Sequence, residues 1–81
     1  MINEHEIKMN FGAAIRAIRV HQEWSQEQLA ERSGLHRTYI SEVERGDRNI
    51  SLINICKLCN ALDISLSSLA IRMEKENGDA S

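Results

Sequence analysis

Between Gly34 and Asn49 the chain reads GLHRTYISEVERGDRN, and this stretch gathers the side chains best suited to contacting a polyanion with exposed base edges. Arg37 can donate two parallel hydrogen bonds to O6 and N7 of a guanine. The Thr38 methyl group can touch the methyl of a thymine, and Tyr39 offers both a ring and a hydroxyl. Ser41 stands four residues after Arg37, so the two share one side of a helix. Arg45, Arg48 and Asn49 follow, where they can grip phosphates or a minor-groove edge and so fix register. Glu42 lies among them, suited to accept from cytosine N4 or to repel wrong sites. This is the chemistry of reading, not of catalysis. Ser, His and Asp residues occur elsewhere, but they form no grouping of nucleophile, base and orienting acid, so no enzyme is expected.

Such residues need a mount, and composition limits what it can be. With 81 residues, the chain can support one core, so residues 1–76 are read as a single domain and 77–81 as a flexible tail. Hydrophobic residues make up 42% but aromatics only 4%, which favours aliphatic packing of helix on helix. The formal net charge is -2, so binding to nucleic acid through bulk charge is disfavoured and any such site must be a local patch. No run approaches the ~20 apolar residues of a membrane span, and Met1 to Met9 carries Glu4, Glu6 and Lys8 without an apolar stretch. A cytoplasmic protein is expected, with no membrane partner.

Apolar spacing predicts an all-α fold of five helices. Asn3, with Glu6 three residues on, suits a capping box, and Ile7, Phe11, Ile15 and Ile18 then draw one buried stripe to about Gln22. Trp24 follows as a plug for the core. Ser25 and Gln28 predict a short helix over Gln26 to Ser33, and Gly34 stands where a left-handed residue ends it. The next helix opens at once, with His36 as an imperfect cap and Ile40 and Val43 buried, and stops at Gly46. Ser51 caps a fourth helix with Leu52, Ile55, Cys56, Cys59 and Leu62 inward, and Ser65 caps a fifth in which Leu66, Leu69, Ala70 and Met73 share a side.

A helix, a three-residue turn containing glycine and a second helix form the unit in which the second helix enters a DNA major groove. Counting from Gln26, Ala30 is small enough for close helix approach and Gly34 occupies the turn. Leu29, Leu35, Ile40 and Val43 are the apolar residues that hold the pair together. All six occur at once. Gln26, with free backbone N–H groups beside it, suits a phosphate oxygen. Glu44 lies one turn from Ile40, and Arg19 lies beside Ile18, so a pair between them would join the first helix to the third.

The string WSQEQLAERSGLHRTYISEVERG resembles the helix-turn-helix of the lambda-repressor-like (Cro/CI, or XRE) DNA-binding domains, and the likeness runs from about Phe11 to Leu69. Within that group, HRTYISEVERGDRNIS resembles the controller proteins of restriction–modification systems. The resemblance implies a homodimeric transcriptional regulator that binds a pseudo-palindromic DNA operator, activating at low occupancy and repressing at high occupancy. Arg37, Thr38 and Tyr39 match its base- and groove-contacting positions, Gln26 its backbone anchor, and Arg45, Arg48, Asn49 and Asn54 its flanking contacts. Arg19 and Glu44 match its structural ion pair. Glu27 and Glu31 correspond to acidic positions that a related phage activator uses to touch RNA polymerase. Many relatives carry Gly before the second helix and Pro near residue 50, where this chain has Glu23 and Ile50, so the first turn is expected to be built differently.

Plainer readings compete. Cys56 and Cys59 lack a second ligand pair and fall on the expected buried stripe, so core thiols are expected and neither metal nor cofactor. Ile53, Leu66, Leu69, Ile71 and Met73 exceed what one small bundle can cover, which suggests a dimer patch that sets two reading helices about 34 Å apart. The alternatives are a phage-type repressor, a DNA-binding antitoxin, or a protein-interaction module that keeps the fold without binding DNA.

Overall fold

The structure, a computed structural model, describes residues 3–76, so the tail expected at 77–81 lies outside the described residues. Five helices follow one another: α1 (Glu4–His21), α2 (Gln26–Ser33), α3 (Arg37–Glu44), α4 (Leu52–Leu62) and α5 (Leu66–Glu76), with no strand among the described residues. Helix α1 packs against α3 and α5, while α2 packs against α3 and α4. The fully buried side chains Ile15, Leu29, Ile40, Val43, Leu58, Leu62 and Leu69 join all five helices in one core. Each such burial contributes about 1.5–3 kcal/mol before chain entropy is set against it.

Local chemistry starts and stops these helices. Asn3 Oδ1 accepts from the Glu6 N–H at 3.1 Å, and α1 runs from Glu4 and Glu6 to Arg19 and His21, charges that suit the helix dipole at both ends. The α1 stripe is partly other than expected. Phe11 and Ile15 are buried, but Ile7 is exposed because it lines an open groove beside Ala70 and Met73 of α5. Gly12 and Ala14 are buried instead. At Gly12, a Cβ would overlap the Val43 carbonyl oxygen and lie 2.8 Å from that of Glu44, so glycine is what lets α1 cross the end of α3.

The turn after α1 departs from expectation. The Trp24 N–H reaches the Arg19 carbonyl at 3.1 Å and the Glu23 N–H reaches Val20 at 2.9 Å, with Glu23 at φ 63. This is the paired-bond closure that glycine usually makes, carried here by a glutamate. Trp24 does not plug the core. It is half-buried against it, with the Arg32 guanidinium 4.1 Å from the ring centroid.

Helix α2 has the full capping box: Ser25 Oγ accepts from the Gln28 N–H at 3.0 Å and Gln28 Oε1 accepts from the Ser25 N–H at 2.8 Å. Gly34 ends it at φ 76, its N–H on the Ala30 carbonyl. On α4 the inward set is Leu58, Cys59, Ala61 and Leu62, with Ile55 half-buried. Leu52 and Cys56 are exposed, contrary to expectation, because Leu52 sits in a first turn beyond the core edge and Cys56 lies about 100° round the helix from Ile55. No single helix among the described residues is long and apolar enough to cross a membrane.

Candidate nucleic-acid interface

The geometry of α2 and α3 follows from their apolar sides. Leu29, Ile40 and Val43 are buried, and Ala30 and Leu35 are half-buried against the same core, which fixes the angle between the helices across Gly34. Arg37 and Thr38 consequently stand exposed at the start of α3, with Tyr39 and Ser41 half-buried beside them. His36 makes no side-chain cap, so it leaves the first N–H groups of α3 to other partners.

From behind, one carboxylate holds α3. Glu44 Oε2 accepts from Arg19 Nε at 2.7 Å and Oε1 accepts from Arg19 Nη2 at 2.9 Å, while Arg19 Nη1 donates to the Trp24 carbonyl at 2.7 Å. Their side chains are only 10% and 3% exposed. The hydrogen bond to Glu44 raises the Arg19 pKa above its ordinary value. Gln26 Nε2 also donates to Glu44 Oε1, at 3.0 Å. One amide N–H of Gln26 thus braces α3 from the start of α2.

The arginines of this face all have carboxylate partners. Arg37 Nε lies 3.0 Å from Glu27 Oε2, Arg45 Nε 3.0 Å from Asp47 Oδ2, and Arg48 Nε 2.8 Å from Glu42 Oε1. Arg45 Nη1 also donates to Ser41 Oγ at 2.8 Å. The Arg48 guanidinium lies 5.0 Å from the Tyr39 ring centroid, and its hydrogen bond to Glu42 raises its pKa. Asn54 Nδ2 donates to the Tyr39 hydroxyl at 3.1 Å, so Asn54 buttresses Tyr39 from α4. Asn49 is exposed in the loop. These pairings escaped the sequence reading, although one signal was available: Gly46 at φ 80 reverses the chain between Glu42 and Arg48.

The apolar patch needs one correction. Ile53, Leu66 and Ile71 are exposed, at 66%, 50% and 56%, and Met73 is half-buried. Leu69, at 1%, is core, because it faces α1 rather than outward, and it has no surface to offer a partner. The two cysteines part likewise, Cys59 buried and Cys56 exposed, so they do not form the expected pair of core thiols.

An uncapped, polar-faced helix held behind a glycine turn by a second helix defines a helix-turn-helix protein. The family profile described as helix-turn-helix matches residues 15–69. The chain is 47% identical over 66 residues to the control protein C.BamHI of Bacillus amyloliquefaciens, covering 80% of this chain and 82% of that protein. Among solved structures, the restriction–modification controller C.AhdI from Aeromonas hydrophila superposes with a TM-score of 0.75 at 50% identity, covering 76% of this chain and 94% of that one. The controller C.Esp1396I, as a tetramer in complex with its natural 35 base-pair operator, gives 0.84 at 30% identity over 90% of this chain and 96% of that one. This chain belongs to the helix-turn-helix family, among the restriction–modification controller proteins.

Proposed function

We propose that the chain regulates transcription by seating α3 in the major groove of a pseudo-palindromic operator as a homodimer. It is a DNA-binding transcriptional regulator of the controller class and not an enzyme. The observation that carries the reading is the exposure of Arg37 and Thr38 at the uncapped start of α3, with Ile40, Val43 and Glu44 anchoring the same helix from behind. In this reading Arg37, Thr38, Tyr39 and Ser41 meet base edges. Arg45, Arg48, Asn49 and Asn54 flank them, and the start of α2 at Gln26 meets a phosphate. Exposed Ile53, Leu66 and Ile71, with Met73 at their edge, form the dimer surface. Glu27 and Glu31, both exposed one turn apart on α2, are the surface offered to RNA polymerase, with Glu27 shared with Arg37.

The test begins with duplexes selected from a random pool. Arg37→Ala is expected to relax preference at one position of the selected site by ~1–3 kcal/mol, whereas Arg48→Ala weakens binding to every sequence and flattens the salt slope by about one. If both variants bind the selected duplexes like the wild type at every salt concentration, these side chains do not face DNA.

A further inference from the structure

Two of the carboxylates on the DNA face have no part in the reading just given. Glu42 and Asp47 each hold an arginine that is placed to meet phosphate, at 2.8 Å and 3.0 Å respectively. Both pairs are drawn from the eight residues Ser41 to Arg48, and the reversal at Gly46 brings them together without ordering any distant segment. Each arginine is fixed a second time, Arg45 by Ser41 Oγ and Arg48 by the Tyr39 ring. Each carboxylate accepts from the guanidinium Nε and offsets its charge, while Nη donors remain for a phosphate. In the free protein each arginine that would grip a backbone is therefore already partly engaged and partly neutralised.

We propose that Glu42 and Asp47 act as built-in phosphate mimics that occupy Arg48 and Arg45 and so set the protein's affinity for DNA of any sequence. This rests on the reading that the Arg45 and Arg48 edge faces DNA. Docking brings a phosphate to an arginine that already holds a carboxylate and sets that acid beside the backbone, so each contact adds less than a free arginine would. A regulator must find one operator among roughly a million to a billion competing sites. Weak backbone affinity keeps more of the protein available to the operator, which base contacts then select. Glu42 in this role does not read cytosine. Its carboxylate is engaged along the protein surface by Arg48.

The experiment compares Glu42→Gln, Asp47→Asn, Arg45→Ala and Arg48→Ala with the wild type by fluorescence anisotropy at several salt concentrations. The probes are a duplex selected from a random pool and a scrambled duplex of the same length and composition. Both carboxylate variants should bind both duplexes more tightly, by about two- to fivefold each as exposed pairs allow, with the salt slope steeper by up to ~0.9. Thermal unfolding should stay near that of the wild type, because both pairs are exposed. Weaker or unchanged binding of the selected duplex by Glu42→Gln, with the scrambled duplex unaffected, would overturn the proposal and assign Glu42 to base reading or to positioning. If the alanine variants lose affinity while the carboxylate variants match the wild type on both duplexes, the proposal fails and the DNA reading stands. If the alanine variants also match the wild type, it is the DNA reading that fails.

Discussion

Replacing Arg19 by methionine removes a side chain that closes three hydrogen bonds in the middle of the molecule, two to Glu44 and one to the Trp24 carbonyl. Methionine fills similar space, so the loss is chiefly electrostatic. Glu44 is 3% exposed and would keep only the Gln26 amide as partner. Breaking a buried pair from one side costs about 3–5 kcal/mol, because the remaining charge is left without compensation. With Gln26 still in place the lower end is expected, about 3 kcal/mol. At ~0.05–0.15 kcal/mol per residue the whole domain is stable by about 4–12 kcal/mol, so this is a large share. A domain of this size loses about 4–8 °C per kcal/mol, giving a fall in Tm of ~12–24 °C. The double variant Arg19→Met/Glu44→Leu removes both charges and should recover most of that loss. Urea and thermal unfolding followed by far-UV circular dichroism and by the fluorescence of the single Trp24 provide the measurement. A single variant within ~1 kcal/mol of the wild type, or a double variant less stable than the single, would refute the reasoning.

Four further outcomes can be checked, three by the same unfolding measurements and one by thiol labelling. Gly12→Ala should destabilise by ~1–3 kcal/mol despite alanine's higher helix propensity, since its Cβ meets backbone carbonyls of Val43 and Glu44 that cannot turn aside; equal or greater stability would contradict the close approach of α1 to α3. Glu23→Gly should stabilise by about 0.5–1 kcal/mol, as glycine relieves the left-handed backbone at φ 63 and gives back part of that gain in unfolded-chain entropy. With a thiol reagent at pH 8, exposed Cys56 should label well before Cys59, whose burial both shields it and raises its pKa above 9.0. Because the fold keeps the Cys59 thiol neutral, its contribution to stability is present below pH 9.0 and is lost as pH rises through the raised folded value; in Cys59→Ala that alkaline loss should shrink.

Much of the fold was legible because its signals are local. The Ser25 and Gln28 box, Gly34 and the spacing of Leu29, Ile40 and Val43 each act within a few residues, and all occur as the sequence implies. The pair between Arg19 and Glu44 was also legible, since both flank apolar positions whose burial periodicity fixes. Less legible was anything set by how two helices approach. Nothing within α1 marks Gly12 as the crossing point with α3, and nothing within α4 shows that Leu52 and Cys56 lie past the core edge. Glu23 misled for the opposite reason: the closing bonds to Arg19 and Val20 impose a glycine-type backbone on a residue that disfavours it. The carboxylate partners of Arg37, Arg45 and Arg48 depend on side-chain reach across turns, which apolar periodicity does not encode.

Glu44 gathers Arg19 from α1 and Gln26 from α2 at the last residue of α3, and none of the three is among the side chains at that helix's outward start. Support and script are thus separable. The letters at positions 37, 38 and 41 can be rewritten while the frame that presents them stays as it is. A library varied at those three sites alone should therefore yield folded proteins that differ in the operators they prefer.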